Sequence, residues 1–368
     1  MKVNVPHTPG KQIEAFYLFF IIHTLQIGAG LMGVPRYVFE MSKQDAWISV
    51  LIAGLYMHLI IYLMIHILKC YENADLFGIQ VDLFGRVIGT LLGSVYLVYF
   101  FFLNFTVMLN YIEVVQVFIF PNFSQPLLSL MLIAIAIYAV LGGFRVAVGV
   151  SVVFFFATIW LIATIYVPIK MMDWNHFLPI MEASPTEILK GVYKTTYTII
   201  GLEVLFFVYP FVKNKNKVSL PSHLAVFFTT FLVLLVTVVS IGFFAEDQLK
   251  QTVWATLTLF KVVSFPILER FDMIAISLWL LVILPNFIMI TWLFTYGVKR
   301  LYRIPQRTSL YVYGGALFIG SFLVKYRVDI NTITNYSAIA GFWIAFVYPI
   351  LLFPLVWLKT RKRRSEQQ

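Results

Sequence analysis

One carboxylate stands inside an apolar segment where a polar group needs a partner. Glu203 follows Gly201 within an apolar run of about the length of one bilayer crossing. A carboxylate at membrane depth costs at least a few kcal/mol unless something pairs with it. Two alternatives stay open: it receives a ligand ammonium, a proton or a cation, or it satisfies the amide end of a helix that starts beside it.

A glycine cluster interrupts another apolar run of similar length. Gly28 and Gly30 flank Ala29, and Pro35 follows shortly after. Peptide groups freed from a helix at membrane depth cost several kcal/mol each unless protein, cavity water or a ligand satisfies them. We therefore expect a broken helix whose amides at Gly28, Ala29 and Gly30 face an anionic group such as a ligand carboxylate. The alternative is close helix packing, which glycine also favours in membranes.

Neighbouring polar side chains add candidates to the site. Thr198 could donate to a ligand, as could Thr195 and Thr196, although hydroxyls in membrane helices more often bond their own backbone. Gly201 is expected to mark a second break. Glu113 and Lys194 stand near the ends of their segments and are expected to reach the interface, with direct ligand contact as the alternative.

Several function classes are disfavoured by the motifs. His23, His58 and His66 are scattered without ligand spacing, so no metal site is expected and no cofactor is predicted. The sequence contains no Walker motif and no HExxH, so we do not expect an enzyme. Its 27 Lys and Arg against 17 Asp and Glu sit in loops between apolar segments rather than on a soluble domain, which argues against nucleic acid as a partner.

The composition indicates the elements that must position these residues. With 61% hydrophobic and 12% charged residues, the chain is expected to be an all-α integral membrane protein. The pattern predicts ten transmembrane helices, at about residues 13–41, 46–68, 89–120, 127–143, 147–169, 186–212, 220–244, 271–298, 310–324 and 335–358. A polar loop is expected over residues 69–86, and the apolar piece at residues 253–263 is expected to lie on the membrane surface.

Charge asymmetry orients the predicted crossings. Seventeen Lys and Arg fall on the face of the N-terminus and nine on the other face. The positive-inside rule therefore places both termini in the cytoplasm. The expected organisation is a cytoplasmic segment at residues 1–12, a transmembrane domain at residues 13–358 and a basic cytoplasmic tail at residues 359–368.

The two predicted breaks fall in spans one and six of ten. This spacing favours a 5+5 inverted repeat of the LeuT/APC-like kind, with repeats at about residues 13–169 and 186–358 and with helices 1 and 6 broken. An odd number of spans in each half forces the second half to run in the opposite orientation.

The sequence resembles a known family at these breaks. Ile27-Gly28-Ala29-Gly30-Leu31 with Pro35, and Gly201-Leu202-Glu203-Val204, are similar to the B-subunit family of bacterial spore germinant receptors. That family is a branch of the amino acid/polyamine/organocation transporter superfamily. The likeness covers nearly the whole chain, including Trp47 at the start of span two, the lysine-rich turn after span six and the basic tail.

The resemblance implies a germinant-sensing subunit in the inner membrane of a dormant spore. It would act with an A subunit and a lipoprotein C subunit, and its ligand would be a small nutrient, typically an amino acid, bound where the broken helices meet. Matching positions carry this role onto Gly28, Ala29, Gly30, Gly201 and Glu203.

The chain departs from ion-coupled relatives of the superfamily. Proton-coupled members often place a lysine in span five, which has none here, and sodium-coupled members use hydroxyl pairs on span eight, where residues 276–286 contain only Ser277. Both departures favour a receptor. The main alternative function is that of an amino-acid permease, and a third possible function is that of a passive ion or water conduit.

Overall fold

Helices form all the regular structure in residues 2–6, 9–265 and 270–366, which this computed structural model describes. In that part of the chain, six stretches are long and apolar enough to cross a membrane: Ala29–Lys69, Leu76–Phe118, Phe144–Lys170, Lys215–Phe243, Phe271–Tyr302 and Arg327–Arg363. Shorter apolar helices at Tyr17–Gln26, Gln125–Leu141 and Leu202–Phe211 accompany them. The chain is therefore a multi-pass membrane protein.

The first part of the chain holds six of the longer helices. They are α1 (Tyr17–Gln26), α2 (Ala29–Ser42), α3 (Ala46–Lys69), α4 (Leu76–Phe118), α5 (Gln125–Leu141) and α6 (Phe144–Thr158). Helix α4 kinks at Gly85, whose φ of 79° lies in the left-handed region that glycine tolerates.

The start of α4 corrects one sequence expectation. The predicted polar loop over residues 69–86 was wrong from Leu76 onward, because helix α4 begins there. The Asp75 side chain caps this helix by accepting the Gly78 amide hydrogen at 2.8 Å, and Leu76 and Phe77 are buried. Of the charges that suggested a loop, Asp75 forms the cap, and Asp82 lies within the helix and pairs with Lys359 and Arg363 from the end of the chain.

The middle of the chain is made of short helices followed by one long helix. They are α7 (Leu161–Thr164), α8 (Tyr166–Lys170), α9 (Pro185–Lys194), α10 (Thr196–Ile199), α11 (Leu205–Val208) and α12 (Ser219–Phe243). Helix α9 begins with a capping box in which Ser184 and Glu187 satisfy each other's backbone amides.

The last part of the chain contains α13 (Glu246–Gln251), α14 (Ala255–Leu259), α15 (Phe271–Tyr302), α16 (Gln306–Leu323), α17 (Arg327–Gly341) and α18 (Tyr348–Glu366). A π-helical turn at Phe342–Val347 joins α17 to α18. The expectation that residues 253–263 lie on the membrane surface was wrong. Leu257 and Leu259 are buried, and the Thr256 hydroxyl donates to the Leu31 carbonyl at 2.7 Å, so α14 packs onto α2 inside the protein.

Helix α15 lies at the centre of the packing. It contacts α4, α5, α6 and α16 along its length and also touches α1. Ile283, Phe287 and Met289 at its middle are buried, as expected for a helix that is apolar on all sides. Of the short helices, α1 packs on α6, α12 and α15. Helix α2 packs on α9, α12 and α14, while α10 packs on α2 and α17 and α11 packs on α3.

Candidate ligand-binding site

The first helix interruption lies between α1 and α2. Helix α1 ends at Gln26, and Ile27 is extended, with φ −97° and ψ 113°. Gly28 follows with φ −158° and ψ −137°, and helix α2 starts at Ala29. The N–H groups of the first turn of α2 have no helical partner and carry a partial positive charge.

Two side-chain amides, from α15 and from α1 itself, donate to backbone carbonyls at the interruptions. The Asn286 side-chain amide, on α15, donates to the Leu25 carbonyl at 2.8 Å. The Gln26 side-chain amide donates to the Ile199 carbonyl at 3.1 Å, which joins the first interruption to α10. These two bonds satisfy carbonyl groups that a continuous helix would have satisfied by itself.

The second interruption lies between α10 and a 3₁₀ turn at Leu202–Val204. Ile200 is extended, with φ −62° and ψ 144°, and Gly201 has φ 126°. A Cβ atom on Gly201 would lie 2.8 Å from the Leu25 carbonyl carbon, so the two interruptions touch through their backbones. Only glycine meets both the conformation and the close approach at this position.

Glu203 is buried behind the second interruption. One carboxylate oxygen accepts the Gly201 amide hydrogen at 2.9 Å, and the other accepts the Tyr99 hydroxyl at 2.8 Å. This geometry matches the alternative in which the carboxylate satisfies the amide end of a helix. Among the described residues that line the cavities below, Glu203 does not occur.

A small cavity of about 20 Å³ lies between the two interruptions. Gly28, Ala29, Gly30 and Gly201 line it, together with Gln26 and Asn286. The side-chain oxygens of Gln26 and Asn286 are buried and have no hydrogen-bond partner among the described atoms. Two unpartnered acceptors beside a space of this size suit one water molecule or one ammonium group.

A larger cavity of about 460 Å³ adjoins the small one through Ala29 and Gly30. Thr196, Thr198 and Asn110 supply polar side chains to its wall. Its volume is within the range of small-molecule sites. Of the six predicted site residues, five therefore line one or both cavities, and Glu203 lies behind Gly201.

Basic side chains dominate the charge of the larger cavity. Arg36, Lys194 and Arg327 line it, and no carboxylate does so in the part of the chain that the structure describes. Arg327 forms an ion pair with Glu113 and lies over the Trp254 ring, 4.8 Å from its centroid. Glu113 and Lys194, which were expected to reach the interface, thus lie at this cavity or beside it.

Sequence reasoning missed Gln26, Asn286, Asn110, Arg327 and Tyr99. A signal was present for the three amides, because each is a polar residue within an otherwise apolar run. For Arg327 and Tyr99 the sequence offered no such signal, since their roles depend on partners far away in the chain.

Each histidine in the described part of the chain has a hydrogen-bond partner, which is a hydroxyl, another histidine or a backbone carbonyl. His23 bonds Thr229 at 3.0 Å, and His58 bonds His223 at 2.9 Å. Across the described residues, no group of three or more His, Cys, Asp or Glu side chains has the geometry to hold a metal ion.

Comparison with known protein families shows which family the chain belongs to. The family described as "Spore germination protein" matches residues 12–330 of the chain. The chain belongs to this spore germination protein family. It is a family of permease-type membrane proteins rather than a family of enzymes.

Curated relatives match over almost their whole length. Spore germination protein GerQB of Bacillus cereus is 33% identical, and the match covers 94% of this chain and 95% of the relative. Spore germination protein A2 of Bacillus subtilis (strain 168) is 25% identical, over 96% of this chain and 98% of the relative. Spore germination protein B2 of the same organism is 23% identical, and the match covers 95% of this chain and 96% of the relative.

Solved structures show which fold this spore germination protein has. A nucleobase-cation-symport-1 family transporter, in a closed conformation with bromovinylhydantoin bound, matches with a TM-score of 0.61 at 14% identity, over 93% of this chain and 79% of that one. A Na⁺-coupled sialic acid symporter in a substrate-bound outward-open state matches with a TM-score of 0.61 at 10% identity. That match covers 95% of this chain and 77% of the symporter. The all-helical fold is therefore of the transporter type, with two interruptions facing each other inside it.

Proposed function

We propose that this chain is the nutrient-sensing subunit of a spore germinant receptor and that the nutrient binds at the two helix interruptions. The observation that carries the proposal is the cavity of about 460 Å³ that leads to the start of α2 at Ala29 and Gly30. A polar cavity that ends at the start of a helix suits the anionic group of a small molecule, which supports the proposal.

The chemistry of the lining favours an amino acid. Its carboxylate would lie at the amides of Gly28, Ala29 and Gly30, with Lys194 and Arg327 adding positive charge on the cavity side. Its ammonium group would lie toward the unpartnered oxygens of Gln26 and Asn286. Thr198 would donate to or accept from the same ligand, while Gly201 and Glu203 hold the second interruption in shape.

The proposed membrane arrangement has ten crossings. They are α1 with α2, then α3, α4, α5, α6 to α8, α9 to α11, α12, α15, α16, and α17 with α18. In this arrangement the interrupted helices are crossings one and six of a 5+5 inverted repeat, and both termini lie in the cytoplasm. The protein would reside in the spore inner membrane, with receptor A and C subunits as partners.

Signalling would follow from a population shift. A nutrient that binds one conformation of the interrupted helices more tightly than another shifts the equilibrium by that difference in affinity. The α1–α2 and α10–α11 pairs are suited to this, because non-helical residues separate the two short helices of each pair. The partner subunits would sense the new arrangement.

Thermal unfolding of the purified protein in lipid nanodiscs tests the site. A panel of amino acids and sugars is titrated, and we expect members of one class to raise the unfolding temperature in a saturable way. Gly30→Leu should abolish the shift by filling the gap at the start of α2. Gly315→Leu is the matched control, because a Cβ there meets nothing within 4 Å and the residue is exposed on α16. A shift that survives Gly30→Leu would remove the interruption from the site.

An amino-acid permease is the second candidate, which the transporter fold favours. Uptake of labelled amino acids into liposomes that contain only this chain separates the two. The receptor proposal expects binding without accumulation, so sustained accumulation against a gradient would contradict it.

A further inference from the structure

A second charged cavity shares no lining residue with the cavities at the helix interruptions and lies where the N-terminal segment meets the end of α15. Its volume is about 350 Å³. Five basic residues line it: Lys2, Lys11, Lys299, Arg300 and Arg303. Three aromatic rings form one wall, and Trp292 and Tyr296 stack there with centroids 4.9 Å apart.

Only one of these cations is neutralised within the described part of the chain. The Arg300 guanidinium donates to both oxygens of Asp75, at 2.7 and 3.0 Å. No described carboxylate lies within ion-pair distance of the other four cations. Four positive charges therefore face a common space without a counter-ion from the protein.

Ordinary membrane topology explains only part of this arrangement. Basic residues are common on a cytoplasmic face, and cations stabilise the C-terminal end of a helix such as α15. Neither effect requires the cations to surround a cavity. Burial and the nearby charge of Lys299 lower the pKa of the Lys11 ammonium, which means that its charged form is destabilised in this position. A bound anion would reduce the repulsion between the two ammonium groups.

We propose that this cavity binds a phosphate-bearing anion. A phosphate group offers three free acceptor oxygens and a charge of about −1.5 to −2 near pH 7 as a monoester, and two free oxygens with a single charge as a diester. In both forms its tetrahedral oxygens can accept from several converging ammonium groups at once, and the Arg303 guanidinium can bind them in pairs. The aromatic wall gives the apolar remainder of such a molecule a surface to pack on.

The bound anion bridges two parts of the chain. Lys2 and Lys11 belong to the N-terminal segment, whereas Lys299 and Arg303 belong to the end of α15. Arg300 already joins these parts, because it donates to the Lys2 carbonyl at 3.3 Å. Anion binding therefore strengthens the contact between the N-terminal segment and α15.

Two sources supply this chemistry: the headgroup of an anionic phospholipid and a soluble phosphorylated molecule. The test uses the full chain in nanodiscs and follows its thermal unfolding. One arm titrates inorganic pyrophosphate into phosphatidylcholine nanodiscs, with sodium chloride at matched ionic strength as the reference. The other arm compares nanodiscs of phosphatidylcholine alone with nanodiscs that contain phosphatidylglycerol.

The variant is Lys11→Gln/Lys299→Gln. The matched control is Arg307→Gln, because Arg307 is an exposed cation at the second position of α16 and does not line the cavity. We expect a saturable rise in unfolding temperature in at least one arm, with apparent affinity about tenfold weaker in the double variant and unchanged in the control. If the double variant folds poorly, Arg303→Gln replaces it and should also weaken binding of the anion.

A response only to pyrophosphate identifies a soluble anion, and a response only to phosphatidylglycerol identifies a lipid headgroup. Three results would overturn the proposal: no response in either arm, an equal response to sodium chloride, or an equal response in the double variant. The nutrient is absent from every arm, so these results do not depend on the proposed receptor function.

Discussion

The Tyr99 hydroxyl donates to one oxygen of Glu203 at 2.8 Å, and this bond joins the middle of α4 to the second helix interruption. The other oxygen of Glu203 accepts the Gly201 amide hydrogen at 2.9 Å. One carboxylate thus connects α4 to the backbone that lines the small cavity. The position of Gly201 depends on both bonds.

Glu203→Gln is expected to lower the thermal unfolding temperature and to weaken the nutrient response. A carboxamide has one oxygen and cannot accept from Tyr99 and Gly201 in the same way, and a buried donor left unpaired costs about 1–3 kcal/mol. Tyr99→Phe, the matched comparison, removes the hydroxyl alone and should leave the Gly201 contact in place. If Glu203→Gln changes neither the unfolding temperature nor the nutrient concentration dependence, Glu203 has no part in the site.

Gly201→Ala is expected to destabilise the protein by about 1–3 kcal/mol, because φ 126° is strained for alanine and its Cβ would meet the Leu25 backbone at 2.8 Å. Gly315→Ala is the control: its Cβ meets nothing within 4 Å, and alanine favours the helix. Chemical or thermal unfolding of both variants checks this. Equal stability of the two would show that the second interruption tolerates a side chain.

The helix interruptions were predictable because their signal is local. Gly28, Gly30 and Gly201 stand inside apolar runs, and glycine in such a run marks a place where the backbone can leave the helix. The six predicted site residues all belong to these two segments. The structure brings the segments together where the Cβ position of Gly201 approaches Leu25.

The partners of the interruptions were not predictable, because they lie far away in the chain. Asn286 reaches the Leu25 carbonyl across 261 residues, and Arg327 reaches Glu113 across 214. An isolated sequence gives no information about such pairings. The burial of α14 has the same origin: its apolar residues suit a membrane surface or a protein interior equally, and the contact between Thr256 and the Leu31 carbonyl decides between them.

Arg327→Gln is expected to weaken binding of a carboxylate-bearing nutrient by about tenfold, which corresponds to about 1.4 kcal/mol. The change removes a cation from the cavity wall and the partner of Glu113. Arg270→Gln is the matched control, since Arg270 pairs with Asp272 and does not line the cavity. Titration calorimetry or ligand-dependent unfolding measures the affinity.

The exchange Glu113→Arg/Arg327→Glu separates the two roles of Arg327. It keeps opposite charges at the two positions but places an acid at the cavity wall. We expect partial recovery of stability relative to Arg327→Gln, with no recovery of affinity. Recovery of affinity as well would mean that the ion pair, rather than the charge facing the cavity, governs binding.

Asp75→Asn is expected to destabilise the protein by about 3–5 kcal/mol, the range for removing one partner of a buried ion pair. The Asp75 side chain is fully buried and accepts from Arg300, from the Tyr296 hydroxyl at 2.5 Å and from the Gly78 amide. An asparagine there leaves the Arg300 charge without a counter-charge and has one acceptor oxygen instead of two.

Tyr296→Phe gives the matched comparison for Asp75→Asn, because it removes a single hydrogen bond from the same cluster and leaves the ion pair. Its expected cost is about 1–2 kcal/mol. Both variants are compared by thermal unfolding in the same nanodiscs and at the same pH. If Asp75→Asn unfolds no earlier than Tyr296→Phe, the charge of Asp75 adds nothing beyond its hydrogen bonds, and the Arg300 guanidinium must be stabilised by the backbone carbonyls of the N-terminal segment instead.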